Sequence, residues 1–437
     1  MRSVWDREVG GSNPLAPTKY LDVVPGHPAN TSFKFLRVKF LARGPGQNPD
    51  YQGRRLCGID ALRGAAALAV VLYHTVGPKG QSEPLVLQWI AAPFLPVIRL
   101  GYVGVLLFFV ISGFCIHLAR ARAQSDGGQP MSFTSFWKRR IRRLYPPYLI
   151  ALMLFLLIAG FTTNFQATAF YLWDLLLHLL MLHNLDARTV YSVNGVFWTL
   201  AIEEQLYVAY FLLLFLRNRW GWGRTLVVCL AARVIWFIVF TALRNHFNIN
   251  IPISESAASY WFNWALGAMS VEAVYGLVKL PAWSHKMKVA GVAVAGSVGL
   301  SYLLPAVQNR SVLYSILWLC VHPLWAVAFF VVLNWFVAAE KTWRINAQTP
   351  VLIRYLAVVG VFSYSLYLTH ELVALEEYRF AFLNISPLAT AFLLTTPVAV
   401  AFAWLFFQFA ERPYHNTVRI KAQPSRVFPE VPTTIDA

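Results

Sequence analysis

The chain has 437 residues, of which 57% are hydrophobic and 13% charged, with a formal net charge of +17. Soluble chains of this length carry nearer a quarter charged residues, so this composition excludes an ordinary water-soluble enzyme, a disordered chain and a nucleic-acid binder. Four cysteines, Cys57, Cys115, Cys229 and Cys320, have neither disulfide-framework nor metal-ligand spacing.

No cleavable signal peptide is expected, since the first 30 residues of the 1–57 leader contain no apolar core. The run Val9-Gly-Gly-Ser-Asn-Pro14 back-translates to GGTTCGAATCC, the T-arm of a tRNA gene. The first 20–30 residues are therefore read either as a mis-called start or as the beginning of an ordinary disordered leader. Apolar stretches then follow near 58–78, 97–118, 144–162, 168–184, 196–216, 225–243, 260–277, 288–304, 314–338, 352–373 and 387–409. A bilayer core takes about 20 apolar helical residues. The stretch 168–184 is short and carries Asp174, His178 and His183. If it does not cross and the N-terminus is cytoplasmic, twenty Lys and Arg fall in cytoplasmic loops and the C-terminal tail, against six outside. The positive-inside bias therefore predicts an all-α integral membrane fold. It has about ten transmembrane helices, both termini cytoplasmic, and one short re-entrant or interfacial helix near 168–184. The membrane domain spans 58–415, with a cytoplasmic tail over 416–437.

Ionisable side chains inside apolar spans are functional candidates. In the first span Asp60 and Arg63 share a face near the cytoplasmic end, and His74 lies 11 residues further on, three turns and about 16 Å up the same face. An interfacial ion pair and a structural histidine are the plain alternatives. The span 196–216 opens Phe197-Trp-Thr-Leu-Ala-Ile-Glu-Glu-Gln-Leu-Tyr207. Entering from the outer side, it places Glu203 about 10 Å below that surface, near the expected depth of His74. A carboxylate there can orient an imidazole or stabilise its charged form. His370, in Phe362-Ser-Tyr-Ser-Leu-Tyr-Leu-Thr-His370, is again near an outer end. Ser112-Gly113 reads as a close helix-packing point.

The run Trp137-Lys-Arg-Arg-Ile-Arg-Arg-Leu-Tyr-Pro-Pro-Tyr148 puts five cations in six residues before a span. Lys138, Arg139, Arg142 and Arg143 have helical spacing. They are read as a phosphate ligand set, a topology anchor or a site for anionic lipid headgroups. The histidines form no local zinc pattern, with no HxxxH and no cysteine pair, so no metal is expected. His178, His183, His322, Arg233 and Glu272 stand out by no spacing of their own.

These motifs, taken in order, resemble the bacterial membrane acyltransferase-3 family. Asp60-Ala-Leu-Arg-Gly with His74 looks like its opening helix, and Gly101-Tyr-Val-Gly with Phe108-Phe-Val-Ile-Ser-Gly-Phe its second. The basic run with Tyr145-Pro-Pro-Tyr148, the Trp198–Tyr207 segment, Ser363–His370 and Glu411-Arg-Pro413 follow, and the resemblance covers about 56–415. Leu106 stands where many members have Asp, and Leu206 where Phe is usual. The family often carries a C-terminal extracytoplasmic hydrolase-like domain, and none is expected from the short stretch that follows the last span.

The resemblance implies a multi-pass enzyme of the bacterial inner membrane. It would move an acyl group, usually acetyl, from acyl-CoA in the cytoplasm to a sugar hydroxyl of a surface polysaccharide (lipopolysaccharide or exopolysaccharide) or glycolipid. Acetyl-CoA would be a co-substrate, with no permanently bound cofactor, and the partners would be the glycan acceptor and membrane lipids, with no nucleic acid. His74 would be catalytic with Glu203 and Arg63, and Arg139, Arg140, Arg142 or Arg143 would take the CoA phosphates. Asp60, Ser112, Tyr207 and His370 are further candidates. A transporter or flippase for a polar or lipid-linked substrate, and an accessory subunit of an export complex, are the competing expectations.

Overall fold

The computed structural model describes residues 56–414, except 78–84, 126, 128–131, 163–168, 250, 310, 346–348 and 376–384. The expected leader (apart from its last two residues) and C-terminal tail lie outside these residues. Helices follow in the order α1 (Cys57–Thr75), α2 (Leu85–Ala91), α3 (Leu95–Arg99), α4 (Gly104–Ser125), α5 (Phe133–Thr162), α6 (Ala169–Leu179) and α7 (Trp198–Phe247). Then come α8 (Ala257–Val274), α9 (Met287–Ala306), α10 (Ser311–Ile345), α11 (Val351–Val361), α12 (Ser363–Leu375), α13 (Pro387–Thr390) and α14 (Thr396–Phe406). No strand occurs among the described residues. Long apolar segments take this form because a helix satisfies every backbone group within itself.

Seven of the described helices are long and apolar enough to cross a membrane, or eight if the bent pair α11 and α12 is one span. The expected ten is reached only by two further steps. One divides the 50-residue α7 at Gly221, whose φ of 75° breaks the helix. The other adds α8, which is buried along most of its length. The segment near 168–184 forms the 11-residue α6, about 16 Å long and too short to span. It ends in a left-handed turn at Met181 and a 3₁₀ turn at His183–Leu185.

Two glycine crossings set the centre of the bundle. A Cβ on Gly64 would strike the Leu356 carbonyl, and one on Gly360 would strike the Asp60 carbonyl, so α1 and α11 touch backbone to backbone. Gly113 on α4 and Gly267 on α8 meet the Trp264 and Val110 carbonyls in the same way. Beside this crossing, Trp264 Nε1 donates to Ser112 Oγ at 3.1 Å, which makes Ser112-Gly113 the close-packing point its sequence suggested.

Buried polar groups are satisfied by partners far away in sequence. The first backbone N–H groups of α1, at Cys57 and Gly58, donate to the Glu340 carboxylate of α10 at 2.8 and 3.0 Å, an anion on a helix N-terminus. Pro323 lies inside α10 and has no N–H for the Leu319 carbonyl one turn back. Arg233 of α7 supplies it, donating Nε to Leu319 O at 3.1 Å, and also donates to Trp318 O and Ser259 O. The buried Arg233 thus stands in for the one helix hydrogen bond that Pro323 cannot make. His117 and Glu272 pair at 2.9 Å, and Arg217 and Trp222 bond the same carboxylate.

Candidate functional site

The candidate residues fall into two groups at opposite ends of α1. At the Arg63 end, Arg63 is 1% exposed. Its guanidinium lies 3.7 Å from Asp60 Oδ1 and donates to Ser363 Oγ at 3.2 Å. Glu411, from the closing Glu-Arg-Pro motif, accepts from the Ser365 backbone N–H at 3.2 Å and from Ser365 Oγ. Arg63 and Arg143 are both among its electrostatic neighbours.

The basic run lies in the first turns of α5, and the helix sorts it. Arg140 and Arg143, three residues apart on one face, turn into the bundle, while Lys138 and Arg142 are exposed and Arg139 is half-buried. Spacing alone grouped Lys138, Arg139, Arg142 and Arg143, which the structure divides by their facing. The Arg140 guanidinium lies 5.5 Å from the Phe136 ring centroid and 6.0 Å from that of Tyr207. Its Nε is buried with no hydrogen-bond partner among the described residues. A buried guanidinium resting on aromatic faces, with donors to spare, suits an anionic ligand.

Glu203 belongs to this end. It accepts from Tyr207 Oη at 3.3 Å, bonds Ser112 and lies in the field of Arg140 and Arg63. Its expected depth beside His74 is therefore corrected. That expectation started the helix at the membrane surface. The loop before α7 instead reaches inward: the Gly195 N–H donates to Glu371 at 2.7 Å, and Tyr367 Oη bonds Val196 O at 3.1 Å and Thr199 Oγ1 at 2.7 Å. The helix thus begins beside the His74 group, and the five residues from Trp198 to Glu203 carry Glu203 about 7–8 Å along its axis, to Tyr207 and Arg140.

At the other end, His74 Nδ1 lies 3.2 Å from Glu371 Oε1. Glu371 is the residue after the Ser363–His370 motif, and sequence reasoning missed it. Its signal was a carboxylate adjoining a candidate histidine in a buried helix. His370, fully buried on α12, has its ring 5.2 Å from that of His74, centroid to centroid. Its Nδ1 faces the carbonyls of Leu366 and Tyr367 at 3.1 and 2.9 Å. Two carbonyl acceptors require the proton on Nδ1, so Nε2 carries the lone pair. That Nε2 is buried and has no partner among the described residues. The His74 side chain is 27% exposed and that of Glu371 10%, so the group opens on one side.

The loop joining α6 to α7 is held to α6 by its own bonds. His178 pairs with Asp174 at 3.0 Å, Ser192 donates to Asp174 at 2.8 Å, and His178 stacks on His183 with ring centroids 4.0 Å apart. In the same loop, the Arg188 side chain and N–H hold the Asp186 carboxyl well below its ordinary range, at about 2.

A sequence profile of the acyltransferase-3 family, described as an acyltransferase domain, matches residues 57–408. The chain is 29% identical over 174 residues to the O-acetyltransferase OatA of Staphylococcus aureus (strain NCTC 8325 / PS 47), covering 37% of this chain and 25% of that protein. It is 29% identical over 180 residues to the peptidoglycan O-acetyltransferase OatA of Listeria monocytogenes (serovar 1/2a), covering 38% and 26%. The chain thus spans about a quarter of the length of these curated relatives. No solved structure matches it significantly. The profile covers every motif that surrounds Arg63 and His74 except the closing Glu411-Arg-Pro413, and the chain belongs to the acyltransferase-3 family of membrane acyltransferases.

Proposed function

We propose that this protein is a membrane O-acyltransferase that moves an acetyl group from acetyl-CoA to a sugar hydroxyl of a surface glycan. The observation that carries the reading is the His74–Glu371 contact at 3.2 Å, three helical turns along α1 from a buried arginine group. The relatives named O-acetyltransferases support an acetyl donor, and the peptidoglycan named for one of them supports a glycan acceptor. The transporter reading is not favoured: it gives no account of an acyltransferase profile across 57–408.

In this mechanism His74 Nδ1–H donates to Glu371, which leaves the Nε2 lone pair as general base. Nε2 takes the proton of the sugar hydroxyl, and the oxygen attacks the thioester carbonyl. The C–S bond breaks, and the thiolate leaves with the proton that His74 took up. Glu371 stabilises the imidazolium in between, the role first expected of Glu203. Arg140 and Arg143 receive the CoA phosphates on the cytoplasmic side of the bacterial inner membrane, with the acyl arm lying along α1 toward His74. Glu203, Tyr207 and Ser112 line that route together with Arg63. An acyl-His74 relay is the mechanistic variant, distinguished by ping-pong kinetics.

The test is transfer of radiolabelled acetate from acetyl-CoA to base-labile ester on host glycans, in membranes holding wild type or His74→Ala at equal levels. Label from wild type and a loss of about 10²–10⁴-fold in the variant is the expected result. Equal label from both removes His74 from the mechanism.

A further inference from the structure

Three ligand atoms of the zinc-binding kind converge where no local sequence pattern announces a metal. His74, His370 and Glu371 each present one, all within 4.8 Å of one another. We propose that this trio binds a divalent cation of the zinc class, and that the bound cation inhibits acyl transfer. The inhibitory half rests on His74 being the base.

The chemistry of the donors points to zinc. Two imidazoles and one carboxylate form the ligand set of open, three-ligand zinc sites, and nitrogen donors disfavour calcium and magnesium. Two of the three ligands are already held in metal-binding orientation by outer partners. His370 has Nδ1 committed to the Leu366 and Tyr367 carbonyls, which aims its buried, unpartnered Nε2 lone pair into the site. Glu371 has one oxygen held by the Gly195 N–H at 2.7 Å, leaving Oε1 toward His74. Backbone carbonyls and N–H groups in these places are what orient first-row metal ligands.

The fit needs one small movement. Zinc at about 2.1 Å from each ligand sets the donors about 3.4 Å apart. His74 Nδ1 and Glu371 Oε1 are 3.2 Å apart already. His74, the most exposed of the three, has the freedom to close on His370. Its exposed side leaves the fourth position open to water or a hydroxyl.

The cation competes with the reaction through the tautomer of His74. In the transfer mechanism Nδ1 holds a proton toward Glu371 and Nε2 is free to accept one. A cation between His74 and Glu371 takes the Nδ1 lone pair, so the ring proton moves to Nε2. No proton is gained or lost overall, but the base is blocked and its carboxylate partner is occupied.

The experiment uses the full chain in nanodiscs, stripped with EDTA and then titrated with Zn²⁺ and, for its absorption spectrum, Co²⁺. Wild type is expected to bind one equivalent, with tetrahedral Co²⁺ bands. His370→Ala and Glu371→Gln are each expected to weaken binding by at least about tenfold, the loss seen when even an outer-shell partner is removed. A Zn²⁺-dependent rise in Tm, present in wild type and absent from variants whose EDTA-treated Tm is unchanged, separates ligand loss from misfolding. Zn²⁺ should suppress acetyl transfer and EDTA restore it. Absence of binding, or binding equally tight in the variants, overturns the site. Zn²⁺ binding that leaves transfer unchanged, or is required for it, overturns the inhibition. Variant-sensitive binding in a protein that transfers no acetyl group supports the cation site and overturns the acyltransferase reading of His74.

Discussion

At one end of α1, Arg63 is enclosed by Asp60, Ser363 and the fields of Glu203 and Glu411. At the other, His74 is partly open, touches one carboxylate and faces the bare Nε2 of His370. Both ends use titratable groups in a lipid-facing bundle, yet they differ in what is left over. The Arg63 end surrounds Arg63 itself with acids, as a buried charge requires, and what it leaves over is the donor of Arg140. The His74 end leaves lone pairs free, at the cost of burying an acceptor without a donor. Such an excess of unmet capacity locates chemistry better than the mere presence of charge does.

The contrast can be broken by substitution, the largest effect coming first. Beyond His74→Ala, Glu371→Gln keeps the shape but inverts part of the hydrogen bonding toward His74 and Gly195. It is expected to lower the rate of transfer about 10²-fold or more while the KM for acetyl-CoA stays near wild type. An unchanged rate would reduce the His74–Glu371 contact to packing. Arg140→Ala should act the other way, raising the KM for acetyl-CoA about tenfold or more, as loss of a charge-assisted bond of about 1.5–3 kcal/mol implies, with less effect on kcat. A change confined to membrane orientation, read by cysteine accessibility, would make Arg140 an anchor. Gly64→Ala drives a methyl into the Leu356 carbonyl, and a loss of about 1–3 kcal/mol in stability is expected. A thermal scan in detergent measures it, and a Tm equal to wild type would contradict the backbone contact of α1 with α11. The smallest effect belongs to Arg142→Ala. This exposed neighbour in the same run should leave the KM within about fivefold, since exposed ion pairs are worth about 0–1 kcal/mol. A KM shift as large as that of Arg140→Ala would erase the distinction between the buried and the exposed cations.

Much of the architecture was legible in the chain. Apolar run length located the helices, because each must be long enough to satisfy its backbone in lipid. Three-turn spacing placed Arg63 and His74 on one face, and small residues marked Ser112-Gly113 as a close approach. Less legible was the span count, since α7 is continuous through a Gly221 kink and α11 and α12 meet at a bend of 74°. Depth was the other difficulty. Counting residues from the membrane surface put Glu203 beside His74, whereas the loop holding Gly195 and Val196 is the part bonded to Glu371 and Tyr367, and Glu203 lies further along α7 with Tyr207.

What the sequence determined by itself was therefore the helical membrane class, the family and the two ends of α1 on which chemistry could sit. These depend on composition and on a helical period that local sequence sets. Only the tertiary structure decided which carboxylate serves His74, which arginines of the basic run turn inward and that His74, His370 and Glu371 share a point. Those pairings join helices nearly 300 residues apart in sequence. They follow from how α1, α12 and the loop before α7 pack together, which no short-range spacing encodes.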